Sequence, residues 1–341
     1  MTDNKTLIEI KDLKTYFYMH EGIVRAVDGA NFEVRHGQTL GIVGESGCGK
    51  SVTAQSIMRI VPPPGKIEAG EILFHRPLER HNGHGETTET LDLAKVDPRG
   101  KEIRSIRGAE IAMVFQEPMT SLSPVHTIGN QIIEAITLHQ KIDKTEARER
   151  AIEMLNRVGM PQPSQIIDNY PYQLSGGMRQ RAVIAMALSC HPNLLIADEP
   201  TTALDVTTEA QILDLMRDLQ QELGMAIMFI THNLGVIAEM SEEVIVMYLG
   251  KVVEQADVDA LFYDPKHPYT RALLRSIPRI DQDTDQPLES IKGIVPDPYS
   301  LPQGCPFHPR CPSFMEGLCD VQEPPFVELN GNKRVRCHLY T

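Results

Sequence analysis

The sequence predicts an α/β domain with a largely parallel sheet, a helical insertion within it, and a small, loop-rich tail carrying four cysteines. Three observations carry this. Short apolar runs at residues 39–43, 111–115, 194–197, 226–230 and 244–248 have the length and unbroken hydrophobicity of strands buried on both faces. Helical stretches at 51–60, 128–139, 144–158, 178–190 and 207–223 separate them, the alternation that builds a parallel sheet. From about Asp264 onward prolines multiply and periodicity fades, so a second unit is expected to begin there.

Taken in order, residues 7–34 alternate apolar and polar positions, as in Leu7-Ile8-Glu9-Ile10, and read as antiparallel strands. The run at 39–43 stops at glycine, and the helix after it is closed by Val61-Pro62-Pro63-Pro64-Gly65. Residues 75–99 are polar and rich in Gly, His, Glu and Thr, the composition of a surface insertion. Its His75, His81 and His84 are potential metal ligands, but a loop is the expected reading. Consecutive helices between Gln131 and Ser175, with no strand among them, predict a helical subdomain at about 117–176. The expected division is residues 1–263 and 264–341, with one copy of the main domain and no internal repeat.

The chain has 341 residues, with 33 basic against 46 acidic, a net charge of −13. This balance argues against a nucleic-acid partner, which selects a basic surface. No apolar run reaches the roughly 18 residues of a membrane span, and residues 1–14 lack the basic-then-apolar layout of a secretion signal. Membrane association is expected only through a partner.

Gly44-Glu45-Ser46-Gly47-Cys48-Gly49-Lys50-Ser51 fits G-x-x-x-x-G-K-[ST], with a strand before it and a helix after it. Glycines let backbone N–H groups turn inward around phosphate oxygens, and the following helix start adds positive dipole. Lys50 is expected to neutralise the β- and γ-phosphates and Ser51 to ligate Mg²⁺, with Gly44, Ser46, Gly47, Cys48, Gly49 and Val52 completing the nucleotide cradle. Cys48 contributes mainly backbone and could make the loop sensitive to thiol reagents. Leu194-Leu195-Ile196-Ala197-Asp198-Glu199 is an apolar strand ending in two acids. Asp198 is expected to reach the Mg²⁺ and Glu199 to polarise the attacking water.

Leu174-Ser175-Gly176-Gly177-Met178-Arg179-Gln180-Arg181 places a second glycine-rich helix start, and so a second anion site, shortly before that acidic strand. It resembles the signature motif of ABC ATPases. Family resemblance implies a RecA-like core with an antiparallel β subdomain and an inserted α-helical subdomain. It further implies that two ATPase chains pair head to tail, so that Ser175, Gly176, Gly177 and Gln180 face the ATP of the partner. Gln116 resembles the Q-loop glutamine at the Mg²⁺, Thr202-Ala203-Leu204-Asp205 the D-loop, and His232 in Ile230-Thr231-His232 the switch histidine. Among Tyr16, Phe17 and Tyr18, Phe17 is the expected adenine-stacking ring.

The resemblance is closest to ATPase subunits of oligopeptide and dipeptide permeases. It rests on Gln116-Glu117-Pro118-Met119-Thr120-Ser121-Leu122, on residues 196–206, on His267-Pro268-Tyr269-Thr270 and on Gly304-Cys305-Pro306-Phe307-His308-Pro309-Arg310-Cys311-Pro312. It implies a heterodimer with a second ATPase subunit, two permease subunits, an extracytoplasmic substrate-binding protein and a position at the cytoplasmic face of the membrane. Relatives in that group also import nickel or oligosaccharides, and a soluble, non-transport ABC ATPase is the alternative outside it.

Cys305, Cys311, Cys319 and Cys337 are separated by five, seven and seventeen residues. Structural zinc favours pairs two to four apart, so the spacing fits zinc poorly; zinc, free thiols and disulfides stay open beside an iron–sulfur cluster. The tail resembles the iron–sulfur segment of some peptide-permease ATPases, which implies a [4Fe–4S] cluster on the four cysteines, acting as a staple for a segment with little core of its own. His308 and His338 are nearby spare ligands.

Overall fold

The computed structural model describes residues 5–77, 88–116, 121–202, 204–276, 291–330 and 333–341. These form two compact units through which the chain passes repeatedly.

The first unit is built chiefly of residues 96–230. Its strands β6 (Ile111–Val114), β7 (Leu194–Asp198) and β8 (Ala226–Ile230) are parallel, in register from Ile111↔Leu194 to Val114↔Ala197 and from Leu194↔Ala226 to Asp198↔Ile230. Every residue of β7 and β8 is buried, which is why both read as uninterrupted apolar runs. The helices are α2 (Lys101–Ile106), α3 (Ile128–His139), α4 (Lys144–Arg157), α5 (Pro163–Ile166), α6 (Gly176–Leu188) and α7 (Val206–Leu223). Their starts follow local chemistry. Thr127, Asp143, Ser175 and Asp205 each accept a hydrogen bond from a first-turn backbone N–H, and Gly224, at φ 67°, ends α7 in the left-handed conformation. In α4 the buried Ala147, Ala151, Met154 and Leu155 recur at helical spacing, so a single stripe faces inward.

The second unit holds the remainder. Strands β1 (Thr6–Tyr18), β2 (Ile23–Arg35), β4 (Gly65–Pro77) and β5 (Thr88–Asp92) form a four-stranded sheet in the order β2-β1-β4-β5. The β1–β4 and β4–β5 pairings are antiparallel. The expected insertion at 75–99 is therefore partly strand: His75 pairs with Thr90 across β4 and β5, while His81 and His84 lie outside the described residues. Around β3 (Thr39–Val43) the chain lays β9 (Glu243–Tyr248) parallel to it and then β10 (Lys251–Asp257) antiparallel to β9. Helix α1 (Lys50–Ile57) follows β3 through the glycine-rich loop. Helix α8 (Leu234–Met240) packs on β3 so closely that a Cβ on Gly41 would lie 2.6 Å from Ser241 Oγ and 2.8 Å from Ile237 Cδ1. Helices α9 (Val258–Tyr263) and α10 (Pro268–Arg275) come next.

Residues on both sides of position 264 lie in the second unit, which takes in residues 231–341. The tail strand β12 (Arg334–Arg336) pairs antiparallel with β10 at Glu254↔Val335 and Gln255↔Arg334, and β11 (Phe326–Glu328) pairs with β12. A segment poor in apolar residues gains its order by extending an existing sheet edge, which satisfies its backbone groups. No helix among the described residues is long and apolar enough to cross a membrane.

Candidate functional site

The glycine-rich loop of the second unit is built by backbone necessity. Gly44, Gly47 and Gly49 have φ of 152°, 79° and 105°, a region that side-chain-bearing residues avoid. Space adds to the constraint at two of them. A Cβ on Gly44 would stand 2.2 Å from the Met247 carbonyl oxygen, and one on Gly49 2.2 Å from that of Ala26. Lys50, at the first position of α1, is buried and donates from Nζ to the carbonyls of Gly44 (2.7 Å) and Glu45 (3.2 Å), so its ammonium spans the concave side of the loop. Cys48 is buried with Sγ 3.8 Å from that ammonium; burial raises its thiol pKa and Lys50 opposes the rise. The thiol is thus held protonated and inward, and Cys48 serves the loop as packing and backbone. Ser46 and Gly47 are exposed at the loop tip, and Ser51 and Val52 are half-buried in the first turn of α1.

Phe17, in β1, lies over Gly65, whose added Cβ would meet the ring at 2.6 Å. Its neighbours are committed elsewhere: Tyr16 donates to Asp28 at 2.6 Å and Tyr18 to Glu68 at 2.7 Å. His232 is exposed just past β8, ahead of the α8 cap at Asn233.

In the first unit, the apolar strand β7 delivers Asp198, 4% exposed, at its last position. Glu199 follows at φ 48°, a left-handed conformation that costs a non-glycine residue about 1–3 kcal/mol. Its carboxylate Oε2 accepts from Gln116 Nε2 at 3.1 Å and from Thr202 Oγ1 at 3.0 Å. Gln116 and Thr202 therefore fix the orientation of the acid that the sequence nominates as the base.

Helix α6 presents the second glycine-rich start. Ser175 is exposed and accepts the N–H of Met178 at 3.3 Å, while Gly176 is exposed with its nearest neighbour, Leu204 Cδ2, 3.8 Å from a built Cβ. Gly177 cannot grow, since a Cβ there would meet Thr208 Cγ2 at 2.7 Å. Two further residues of this region have defined settings. Gln180 is 0% exposed and its amide has no hydrogen-bond partner, so its side chain turns into the protein rather than toward a nucleotide. Helical spacing explains this, because Gln180 shares the inward face with Ile184. Asp205 caps α7, accepting from Thr208 N at 3.0 Å and Thr208 Oγ1 at 2.7 Å, and these bonds lower its pKa.

The four tail cysteines approach one another. Cys305 is pushed up to about 12 by burial and by the charge of Cys337, Cys311 and Cys319. Burial likewise raises Cys311 and Cys337, with further contributions from the other thiols. All four are free cysteines. Even so, no group of three or more His, Cys, Asp or Glu among the described residues could hold a metal ion, so the side chains as placed do not fit the expected cluster. His338 Nε2 donates to the Gln322 carbonyl (2.9 Å) and His308 Nδ1 to the Cys305 carbonyl (3.0 Å), which gives both structural bonds.

Sequence reasoning missed the supports behind the loop. Tyr269 Oη accepts the Glu45 N–H at 2.9 Å, and Arg310 donates to the Glu45 carboxylate at 2.8 and 3.1 Å. Both residues fall in segments that read only as family resemblance, His267-Pro268-Tyr269-Thr270 and the Cys305–Cys311 stretch. Contacts spanning 224 and 265 residues leave no local signal.

Comparison with known proteins agrees with these arrangements. Residues 27–202 match a family model described as ABC transporter, and residues 253–319 one described as oligopeptide/dipeptide transporter, C-terminal region. The chain is 50% identical over 336 residues to the oligopeptide transport ATP-binding protein AppD of Bacillus subtilis, covering 98% of this chain and 97% of that one. It is 46% identical over 332 residues to the dipeptide transport ATP-binding protein DppD of Escherichia coli, covering 97% and 96%. Among solved structures it resembles a dimeric ATP-binding cassette in a post-hydrolysis state bound to ADP and Pi. That likeness has TM-score 0.62 and 27% identity, over 74% of this chain and 99% of the other.

Proposed function

The chain belongs to the ATP-binding subunits of ABC transporters, in the oligopeptide and dipeptide permease group, and on that premise we propose that it hydrolyses ATP to power peptide import through bound permease subunits. The observation that carries this is near-full-length identity of about half to peptide-transport ATPases, together with an intact glycine-rich loop, acidic strand end and second glycine-rich helix start in one chain.

In this reading Gly44, Ser46, Gly47, Cys48, Gly49, Lys50, Ser51 and Val52 cradle the phosphates, and Phe17 stacks on adenine. Mg²⁺, when bound, neutralises phosphate charge, and Ser51, Gln116 and Asp198 are the residues that would hold it. Glu199 orients and deprotonates the attacking water; its bonds from Gln116 and Thr202 support that role by fixing the carboxylate. His232 acts at the γ-phosphate. Ser175, Gly176 and Gly177 offer exposed N–H groups at a helix start to the ATP of a partner subunit, and the exposure of Ser175 and Gly176 favours this. Asp205 shapes that surface as the cap of α7. Residues 264–341 are the C-terminal extension in this reading; a [4Fe–4S] cluster on Cys305, Cys311, Cys319 and Cys337 has family resemblance alone behind it, against thiols that do not form its site among the described residues.

The assembly completes the reading: a second homologous ATPase subunit, two permease subunits at the cytoplasmic face, and an extracytoplasmic binding protein. The test is ATP-driven peptide uptake by the reconstituted complex in vesicles. Uptake stimulated by binding protein and peptide, and lost in Glu199→Gln, supports it. ATP hydrolysis that responds to nickel or an oligosaccharide and not to peptide overturns the cargo, and hydrolysis that needs no permease overturns the transport role. Anaerobically purified protein that is colourless and EPR-silent disproves the cluster.

A further inference from the structure

Glu45 is an acid inside an anion-binding loop, and an uncompensated carboxylate there would repel nucleotide phosphates. The fold meets this by converging three side chains on the one residue. Its carbonyl accepts Lys50 Nζ at 3.2 Å, its N–H donates to Tyr269 Oη at 2.9 Å, and its carboxylate takes both terminal nitrogens of Arg310 at 2.8 and 3.1 Å. Glu45 is thus the joint between the phosphate lysine and the cysteine-bearing tail.

Arg310 is built for the task. Its side chain is 3% exposed, its Nη1 also donates to Tyr248 Oη at 3.3 Å, and its Nε donates to the Lys292 carbonyl at 3.2 Å. A short turn at His308–Arg310 presents it, framed on either side by Cys305 and Cys311. The bonds His308 N to Cys305 O and Cys311 N to His308 O close that turn, and Cys305 N is tied to Cys319 O at 2.8 Å. Phe307 anchors it by ring contacts of 5.3 Å to Tyr248 and 5.4 Å to Tyr269. A cavity of about 160 Å³ lies between the loop residues Glu45–Cys48 and the tail residues Val295, Pro296 and Pro298. Beside that cavity the loop is tied through Glu45, by the Arg310 ion pair together with the Tyr269 bond. A bidentate arginine fork fixes distance and orientation together, which a lysine does not.

We propose that Arg310 is a positioning residue for the phosphate loop: the cysteine-framed turn of the tail uses it to neutralise Glu45 and hold it where Lys50 can grip the nucleotide. This couples the folded state of the tail to nucleotide affinity. It rests on the reading that residues 44–51 bind ATP.

The test is nucleotide affinity and steady-state kinetics in the assembled complex, for wild type, R310Q, R310K, E45Q and E45Q/R310Q, with Lys50→Ala as the control for the loop. R310Q is expected to raise the Kd and the KM for ATP by about fivefold or more. Its kcat should stay within about twofold, because no reacting atom is touched. R310K, which keeps the charge and loses the fork, should fall between wild type and R310Q. In the double variant the loss should be smaller than in R310Q, since no unneutralised acid then faces the phosphates. A structural defect alone would give no such rescue. Wild-type affinity in R310Q and R310K overturns the proposal, as does a double variant whose loss is the sum of the single ones. If R310Q does not fold, R310K decides by the same measure. A wild-type complex that binds no ATP would instead defeat the functional reading beneath it.

Discussion

The molecule carries two glycine-rich helix starts, and they are built in opposite ways. The loop before α1 is enclosed: Gly44 and Gly49 sit at positive φ with backbone oxygens 2.2 Å from where a Cβ would be, and Lys50, Tyr269 and Arg310 converge on Glu45. The start of α6 is open: Ser175 and Gly176 are exposed, and the built Cβ of Gly176 meets only Leu204 at 3.8 Å. Both offer N–H groups and helix dipole to an anion. The enclosed one supplies its own counter-charge and supports. Among the described residues at the α6 start none is a buried cation, a difference that agrees with the half-site proposed there.

The largest expected effects test the enclosed site. Gly49→Ala should abolish nucleotide binding and lower thermal stability, because the Cβ has no room and the backbone φ of 105° is denied to alanine. Gly176→Ala should leave stability within about 0.5 kcal/mol, so equal losses in the two variants would erase the contrast. Glu199→Gln should lower ATP turnover by about 10²–10⁴-fold while ATP still binds. Because chemistry then stalls, the ATP-bound assembly should persist long enough to test whether the α6 start is engaged. Protection of Ser175 and Gly176 amides from hydrogen exchange in that state would confirm the half-site, and unchanged exchange would refute it.

A third prediction separates the two starts by pH. Buried His267 caps α10 by accepting the Tyr269 N–H at 3.0 Å, and desolvation with help from Arg271 lowers its pKa to about 3. The unfolded histidine, near 6.5, takes its proton first, so this contribution is complete above about pH 6.5 and is lost as pH falls toward 3. The second unit should lose at most about 1.4 kcal/mol per pH unit in that window. Thermal denaturation between pH 7.5 and 5.5 should show the slope, and His267→Asn, which can still cap, should flatten it. A modest loss belongs to Ser175→Ala, which removes the α6 cap and should cost about 1 kcal/mol, read as a lowered denaturation midpoint with nucleotide binding by the subunit intact.

Much of the fold was legible because its central strands announce themselves. Strands β7 and β8 are buried on both faces, and burial of that kind leaves a continuous apolar run with no competing pattern. The helices of the insertion were legible as consecutive stretches of helical pattern with no strand among them. Less legible was how the tail is ordered: a proline-rich, weakly periodic segment gives no clear strand pattern, yet β12 completes the edge of β10. At Gln180 the sequence was silent in another way, since a motif names a position but the rotation of a helix decides which way its side chain turns.

The sequence by itself determined the chemistry of the loop and the acidic strand end, because glycines, Lys50 and the Asp198–Glu199 pair act through local backbone geometry and adjacent residues. Tertiary structure alone decided what holds that chemistry in place: Gln116 on Glu199 across 83 residues, and Arg310 on Glu45 across 265. An ion pair between distant segments depends on how sheets and turns bring them together, and no spacing along the chain encodes that approach.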